Sequence, residues 1–205
     1  MLVVLGDSHI HGFRGIAGYI GMIPGATAYG LANENSRTQA GNKFRSVMEK
    51  LGTKHIYLFH LGEVDCSSLS WKKQKEGIVE VIVQSCLNYI RFIRTLTGYR
   101  LIIASCPPTP VISYLGSKGN RTSNGSVWEV RTDLINRFNL MMEAFCLGAN
   151  IRFYNYHKDV CKNGIVLDNF KLPNASNPHL NPQELHKVFS KSLKYRSAKT
   201  VLEFL

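Results

Sequence analysis

The sequence has no long apolar run. Nothing in it approaches the roughly 18 consecutive apolar residues of a membrane span. The first apolar run, residues 1–5, breaks at Gly6-Asp7-Ser8, too early for the core of a secretory signal. The expectation is a cytoplasmic protein whose chain starts inside its first strand. Acidic residues are scarce: 14 Asp and Glu stand against 25 Lys and Arg, for a net charge of +11. Such a balance favours acidic partners, whether nucleic acid, phosphorylated or uronic-acid substrates, or anionic lipid. The excess is spread out, however. Its densest clusters, residues 71–75 and 187–199, fall where helices are expected and read as solvated faces. The five cysteines, at 66, 86, 106, 146 and 161, are odd in number and form no C-x-x-C pair. A disulfide framework and a cysteine-rich zinc site are therefore not expected, and buried reduced thiols are. In the absence of a signal, the N-x-S/T sequons at Asn120, Asn124 and Asn174 read as chance. No phosphate-binding G-x-x-x-x-G-K-[ST] loop occurs, and no dinucleotide fingerprint follows the first apolar run. No motif supports a nucleic-acid binder either.

What is present is alternation. With 44% hydrophobic residues the chain reads as one globular domain over residues 1–205. Strands are expected at residues 1–5, 20–28, 55–61, 100–105 and 150–154. Pro24 would place the second at a sheet edge. Between them, residues 38–51 carry Phe44, Val47, Met48 and Leu51 at helical spacing. Residues 71–97 read as one long helix, with Ile78, Val81, Ile82, Ser85, Tyr89, Phe92 and Ile93 near one face. A helix over 127–148 would end at Gly148 as its C-cap, and Pro182 would open a last helix reaching about residue 203. Residues 113–126, with Lys118 and Arg121, read as a loop and candidate substrate-binding lid. Residues 157–181 read as a second loop. The pattern predicts an α/β fold: a five-stranded, mostly parallel sheet with helices on both faces.

In such a sheet, ligands bind beyond the carboxyl ends of the strands. Ser8 follows the first strand, Gly62-Glu63-Val64-Asp65 the third, and Pro107 the fourth. His179 lies in the loop after the fifth. A serine hydroxyl is a weak nucleophile until a base takes its proton, and histidine is the usual base. Ser8 and His179 at one sheet edge fit that chemistry. The Ser8 N–H and a glycine N–H could serve as oxyanion donors. Ser8 could equally be a turn or cap serine, with His9 and His11 as hydrogen-bonded turn residues.

The ordered set Gly6-Asp7-Ser8, Gly30, Gly62-Glu63-Val64-Asp65 and His179-Leu180-Asn181 resembles the sequence blocks of the SGNH (GDSL-type) hydrolases, and spans nearly the whole chain. More narrowly, it is similar to members found among polysaccharide-biosynthesis genes. The resemblance implies a flavodoxin-like three-layer sandwich, serine esterase or acyl-transfer chemistry through an acyl-enzyme, and no metal or other cofactor. It assigns Ser8 as nucleophile, His179 as general base, and the N–H groups of Ser8 and Gly30 to the oxyanion hole. Asp7, His9, Gly62, Asp65 and Ser176 would support them. The implied partner is an ester of a small molecule or glycan, such as an acylated sugar. Two positions depart from the pattern. The third block's asparagine, an oxyanion donor, is Val64. The aspartate three residues before the histidine is Ser176. Asp65 or Asp168 could replace the acid, and Asn33 or Asn35 the donor, though the simpler reading of Asp65 is structural, as a tie of the third-strand loop.

Two other readings follow from the same residues. A fold that has lost these groups could bind glycan or an acidic partner without turnover. Alternatively, Asp7, His9 and His11 would align on one side of an extended backbone as metal ligands. His60, Glu63 and Asp65 would be nearby, as in the calcineurin-like metallophosphoesterases that Gly-Asp-Ser-His also resembles. Cys66 is a further conceivable nucleophile, though burial as a small apolar residue is the simpler reading.

Overall fold

The computed structural model describes residues 1–73, 77–110, 127–173 and 179–194. The candidate lid with Lys118 and Arg121, the three sequons, Ser176 and the far end of the last expected helix lie outside these residues.

Five parallel strands run in the order β2-β1-β3-β4-β5: β1 Leu2–Gly6, β2 Tyr19–Met22, β3 Ile56–His60, β4 Arg100–Ala104 and β5 Arg152–Tyr154. The central strands are apolar at almost every position because both faces are covered. Val3, Leu5, Tyr57, Phe59 and Ile103 pack on one side with Phe44, Met48, Phe92 and Phe138. Those come from helices α1 (Ala40–Leu51), α3 (Ile78–Arg94) and α4 (Val127–Gly148). Val4, Leu58, Ile102 and Tyr154 pack on the other side with Phe13, Leu185 and Phe189. Here the cover is the 3-10 turn Ser8–Phe13 and α6 (Pro182–Lys194). The α/β sandwich predicted by the alternation is thus present, with all five strands parallel, and β2 with Pro24 beyond it lies at the edge. Among the described residues no helix is long and apolar enough to cross a membrane.

Three expectations require correction. The helix expected over 71–97 is interrupted. A π turn at Asp65–Leu69 runs into the short α2 (Ser70–Lys72), and α3 starts afresh after Gly77, whose φ of 87° a helix cannot hold. The α4 terminus is not capped by a left-handed Gly148. The left-handed residue is Asn150, at φ 52°, while Ile151 donates back to the Cys146 carbonyl. The stretch expected as a loop after β5 carries structure: α5 (His157–Val160) and an antiparallel hairpin of β6 (Cys161–Lys162) and β7 (Ile165–Val166). Asn163 and Gly164 both take positive φ at its tip, as a two-residue hairpin turn requires.

Candidate active site

Strand β1 ends where it must come close to β3. A Cβ on Gly6 would lie 2.2 Å from the His60 carbonyl oxygen, so only glycine lets the chain leave the sheet there. Asp7 then caps the 3-10 turn. Its Oδ1 accepts from the His9 N–H at 2.8 Å and faces His9 Nδ1 at 3.1 Å. That turn lifts Ser8 off the sheet edge.

His179 arrives from the other end of the chain. The next residue, Leu180, is buried and bridges Lys171 in antiparallel fashion. Asn181 donates its N–H to the Phe170 carbonyl at 2.8 Å, and its Oδ1 accepts from Gln183 N at the start of α6. Pinned in this way, His179 presents Nε2 2.9 Å from Ser8 Oγ, across 171 residues of sequence. Its imidazole lies flat on that of His9, with centroids 4.3 Å apart and planes 18° apart. Burial, and then the neighbouring His9, pull the His179 pKa down to about 4 against the pull of Asp7. At neutral pH it is an unprotonated base. Ser8 and His179 open on a cavity of about 330 Å³ whose other walls include Pro107, Leu172, Leu180 and Leu185. A larger cleft, about 650 Å³, lies over Asn33, Glu80 and Asn88, and neither Ser8 nor His179 lines it.

Under this pair sits a buried ionic group. His9 Nε2 faces Glu63 Oε2 at 3.8 Å, and Glu63 Oε1 takes a 2.6 Å hydrogen bond from Arg131 of α4. All three, with Asp7, are less than 9% exposed. Burial pulls the His9 imidazole down, but the facing Asp7 and Glu63 carboxylates outweigh it and the net shift is upward. Burial raises Asp7, yet His9 and, more weakly, His60 hold it below the usual carboxylate value.

The other expected residues fall in several places. Gly62 takes φ 115° where a Cβ would strike the Phe138 ring at 2.7 Å, so it serves the close approach of the third block to α4. Asp65 does not face His179. Its two oxygens accept from the N–H groups of Ala28 and Tyr29, at 2.8 and 2.9 Å, and so tie the second block to the third. Asp168 is exposed and paired with Lys171. The Gly30 N–H turns inward to Thr27, whose Oγ1 it meets at 3.0 Å. Asn33 Oδ1 is taken by the Asn35 N–H.

The alignment needed for the metal reading does not form. Residues 8–13 are a 3-10 turn rather than an extended strand, so Asp7, His9 and His11 do not share a side. Among the described residues no group of three or more His, Cys, Asp or Glu is placed to hold a metal ion. His60 instead meets the Tyr156 hydroxyl at 2.8 Å. Burial pushes the Cys66 thiol up, away from a reactive thiolate.

Arg131 was not among the expected site residues, though a signal for it exists. It precedes Leu134, Ile135 and Phe138, all buried, by three, four and seven residues, which puts a charge on the apolar face of its helix.

No known family profile and no curated protein matches the sequence. Solved structures do. A GDSL-like lipase from Bacteroides thetaiotaomicron superposes with a TM-score of 0.59 at 18% identity, over 97% of this chain and 88% of that one. The chain has the fold of the SGNH (GDSL-type) hydrolases. An acetyl xylan esterase shares this SGNH-like fold at TM-score 0.58 and 17% identity, over 95% and 98% of the two chains. The M. smegmatis aryl esterase does so at TM-score 0.55 and 9% identity, over 95% and 98%.

Proposed function

We propose that this SGNH-like protein is a serine esterase or acyltransferase acting on an acyl ester, with Ser8 as nucleophile and His179 as general base. The observation that carries this reading is the 2.9 Å approach of His179 Nε2 to Ser8 Oγ at the mouth of a cavity. Ser8 Oγ attacks the ester carbonyl carbon as its proton passes to His179 Nε2. The tetrahedral intermediate collapses, and the departing alcohol takes that proton from His179. An acyl group remains on Ser8, for water or a second alcohol to remove by the same steps. The Ser8 N–H is the oxyanion donor in this scheme. The Gly30 N–H joins it only if the 27–30 turn releases its bond to Thr27.

The cavity's apolar wall suits a short acyl chain. The esterases that share the fold, one of them acting on acetyl xylan, support an acylated sugar as the alcohol side. The decisive assay is hydrolysis of p-nitrophenyl acetate, and of acetylated xylan, by wild type, Ser8→Ala and His179→Ala, each with and without chelator. Wild-type turnover indifferent to chelator is expected, falling by at least about a thousandfold in both variants. Turnover that survives Ser8→Ala would refute the assignment.

One observation favours a second reading, a binding module without turnover. Val64 offers no side-chain donor, and the Gly30 N–H is engaged elsewhere. Inactive wild type that retains affinity for the glycan would support it.

A further inference from the structure

We propose that His9 is a positioning residue for His179: held by Asp7 and facing Glu63, its buried ring is the platform on which the base's imidazole lies flat and aimed at Ser8. The catalytic meaning of this inference rests on the serine-hydrolase reading, but the physical claim does not.

Three observations carry it. First, both edges of the His9 ring are committed. One Asp7 oxygen takes the His9 backbone N–H and faces its Nδ1, while Nε2 looks at Glu63, which Arg131 clamps at 2.6 Å. Among the described residues His9 Nε2 has no hydrogen-bond partner and meets Glu63 Oε2 only at 3.8 Å, so turning the ring would take it off the Asp7 bond and away from the facing carboxylate. Second, the free face of this fixed ring is covered by His179, stacked 18° from parallel. A hydrogen bond to Ser8 fixes where Nε2 sits but does not by itself fix the tilt of the ring. A second ring against its face removes this freedom and sets the direction of the Nε2 lone pair. Third, position 176, where the resembled family carries an acid, is a serine. Within the described site, the nearby carboxylates Asp7 and Glu63 are arranged around His9, one ring away from His179.

The charges agree with the geometry. Facing His9 are Asp7 from its own turn, His60 and Glu63 from β3 and its loop, Arg131 from α4, His11 from the turn, and His179 from the segment before α6. Two carboxylates and one guanidinium leave one buried negative charge, which an imidazolium at His9 balances. Burial of the His179 ring, and then positive charge at His9 beneath it, hold the base unprotonated well into the acid range.

The test is a histidine-labelled NMR titration of wild type, His9→Phe and His9→Gln, with the His179 signal assigned by its loss in His179→Gln. Phenylalanine keeps the platform and drops the charge. Glutamine keeps a hydrogen-bonding edge and drops the ring. In both variants the His179 midpoint should rise from about 4 while staying below the ordinary histidine value, because the burial that pulls it down most remains. Only His9→Gln should lose the ring-current displacement of the His179 signals. A midpoint and displacement unchanged in His9→Gln would overturn the proposal. The ester-hydrolase reading fails separately. If wild type turns over no ester while the His9 variants still move His179, the platform stands and the enzyme does not. If hydrolysis depends on Ser8 and His179 but His179 ignores His9, the reverse holds.

Discussion

Strands β1 and β3 are neighbours in the sheet, and each is followed by a fully buried aspartate, Asp7 and Asp65. The two have opposite characters. Asp7 faces an imidazole, and its pKa falls below the ordinary carboxylate value. Asp65 faces backbone N–H groups. Burial raises its pKa to about 6, against the hydrogen bonds from Tyr29 and Ala28. An imidazole whose own proton affinity is raised by that carboxylate offsets more of the cost of burying it than two amide dipoles do. The difference separates their roles. Asp7 caps the turn that carries Ser8, and Asp65 joins two loops.

The comparison can be broken hardest at the buried Glu63–Arg131 ion pair on the Asp7 side. Arg131→Met leaves Glu63 buried without its guanidinium, and should cost about 3–5 kcal/mol in urea denaturation. Adding Glu63→Gln should restore most of that. A double variant as unstable as the single one would mean the Arg131 stem, not its charge, matters.

On the other side, Asp65→Ala strands the N–H groups of Ala28 and Tyr29. The expected loss is about 1–3 kcal/mol for each, with a smaller loss for Asp65→Asn, whose amide oxygen can still accept. Equal losses in the two variants would show that charge rather than acceptor count holds that loop.

The smallest effect is in the pH dependence. Because the folded Asp65 pKa is raised, its contribution to stability is complete below 3.8 and declines as pH rises through about 6. Because that of Asp7 is lowered, its contribution is present above 3.8 and is lost as pH falls through its lower folded value. Denaturation midpoints across the acid range should therefore change slope in opposite senses in Asp65→Asn and Asp7→Asn. Parallel curves would refute the contrast.

Much of this was legible in the sequence. The strands were, because central parallel strands are apolar on both faces and cannot hide. So was the meeting of Ser8 with His179, because strand ends in such sheets share an edge. The break at Gly77 was not, because an isolated glycine is tolerated inside a helical pattern and its φ of 87° is not visible in the residue type. The small hairpin at residues 161–166 was missed although Asn163-Gly164 announces it. Asp65 kept its block position but not the role of orienting acid. Both its oxygens are taken by N–H groups, a contact between residues far apart in sequence that no local pattern reports. The His9 platform is of the same kind. A histidine beside a serine is unremarkable until the ring that covers it, 170 positions away, is in place.

That separation has a consequence for how the protein is made. Ser8 leaves the ribosome before His179, which lies 171 positions later. At about 5–20 residues per second, a nascent chain carries Ser8 for roughly 10–30 s before His179 has been synthesised. The Ser8–His179 contact is thus absent from the growing chain and forms only once the segment before α6 has docked.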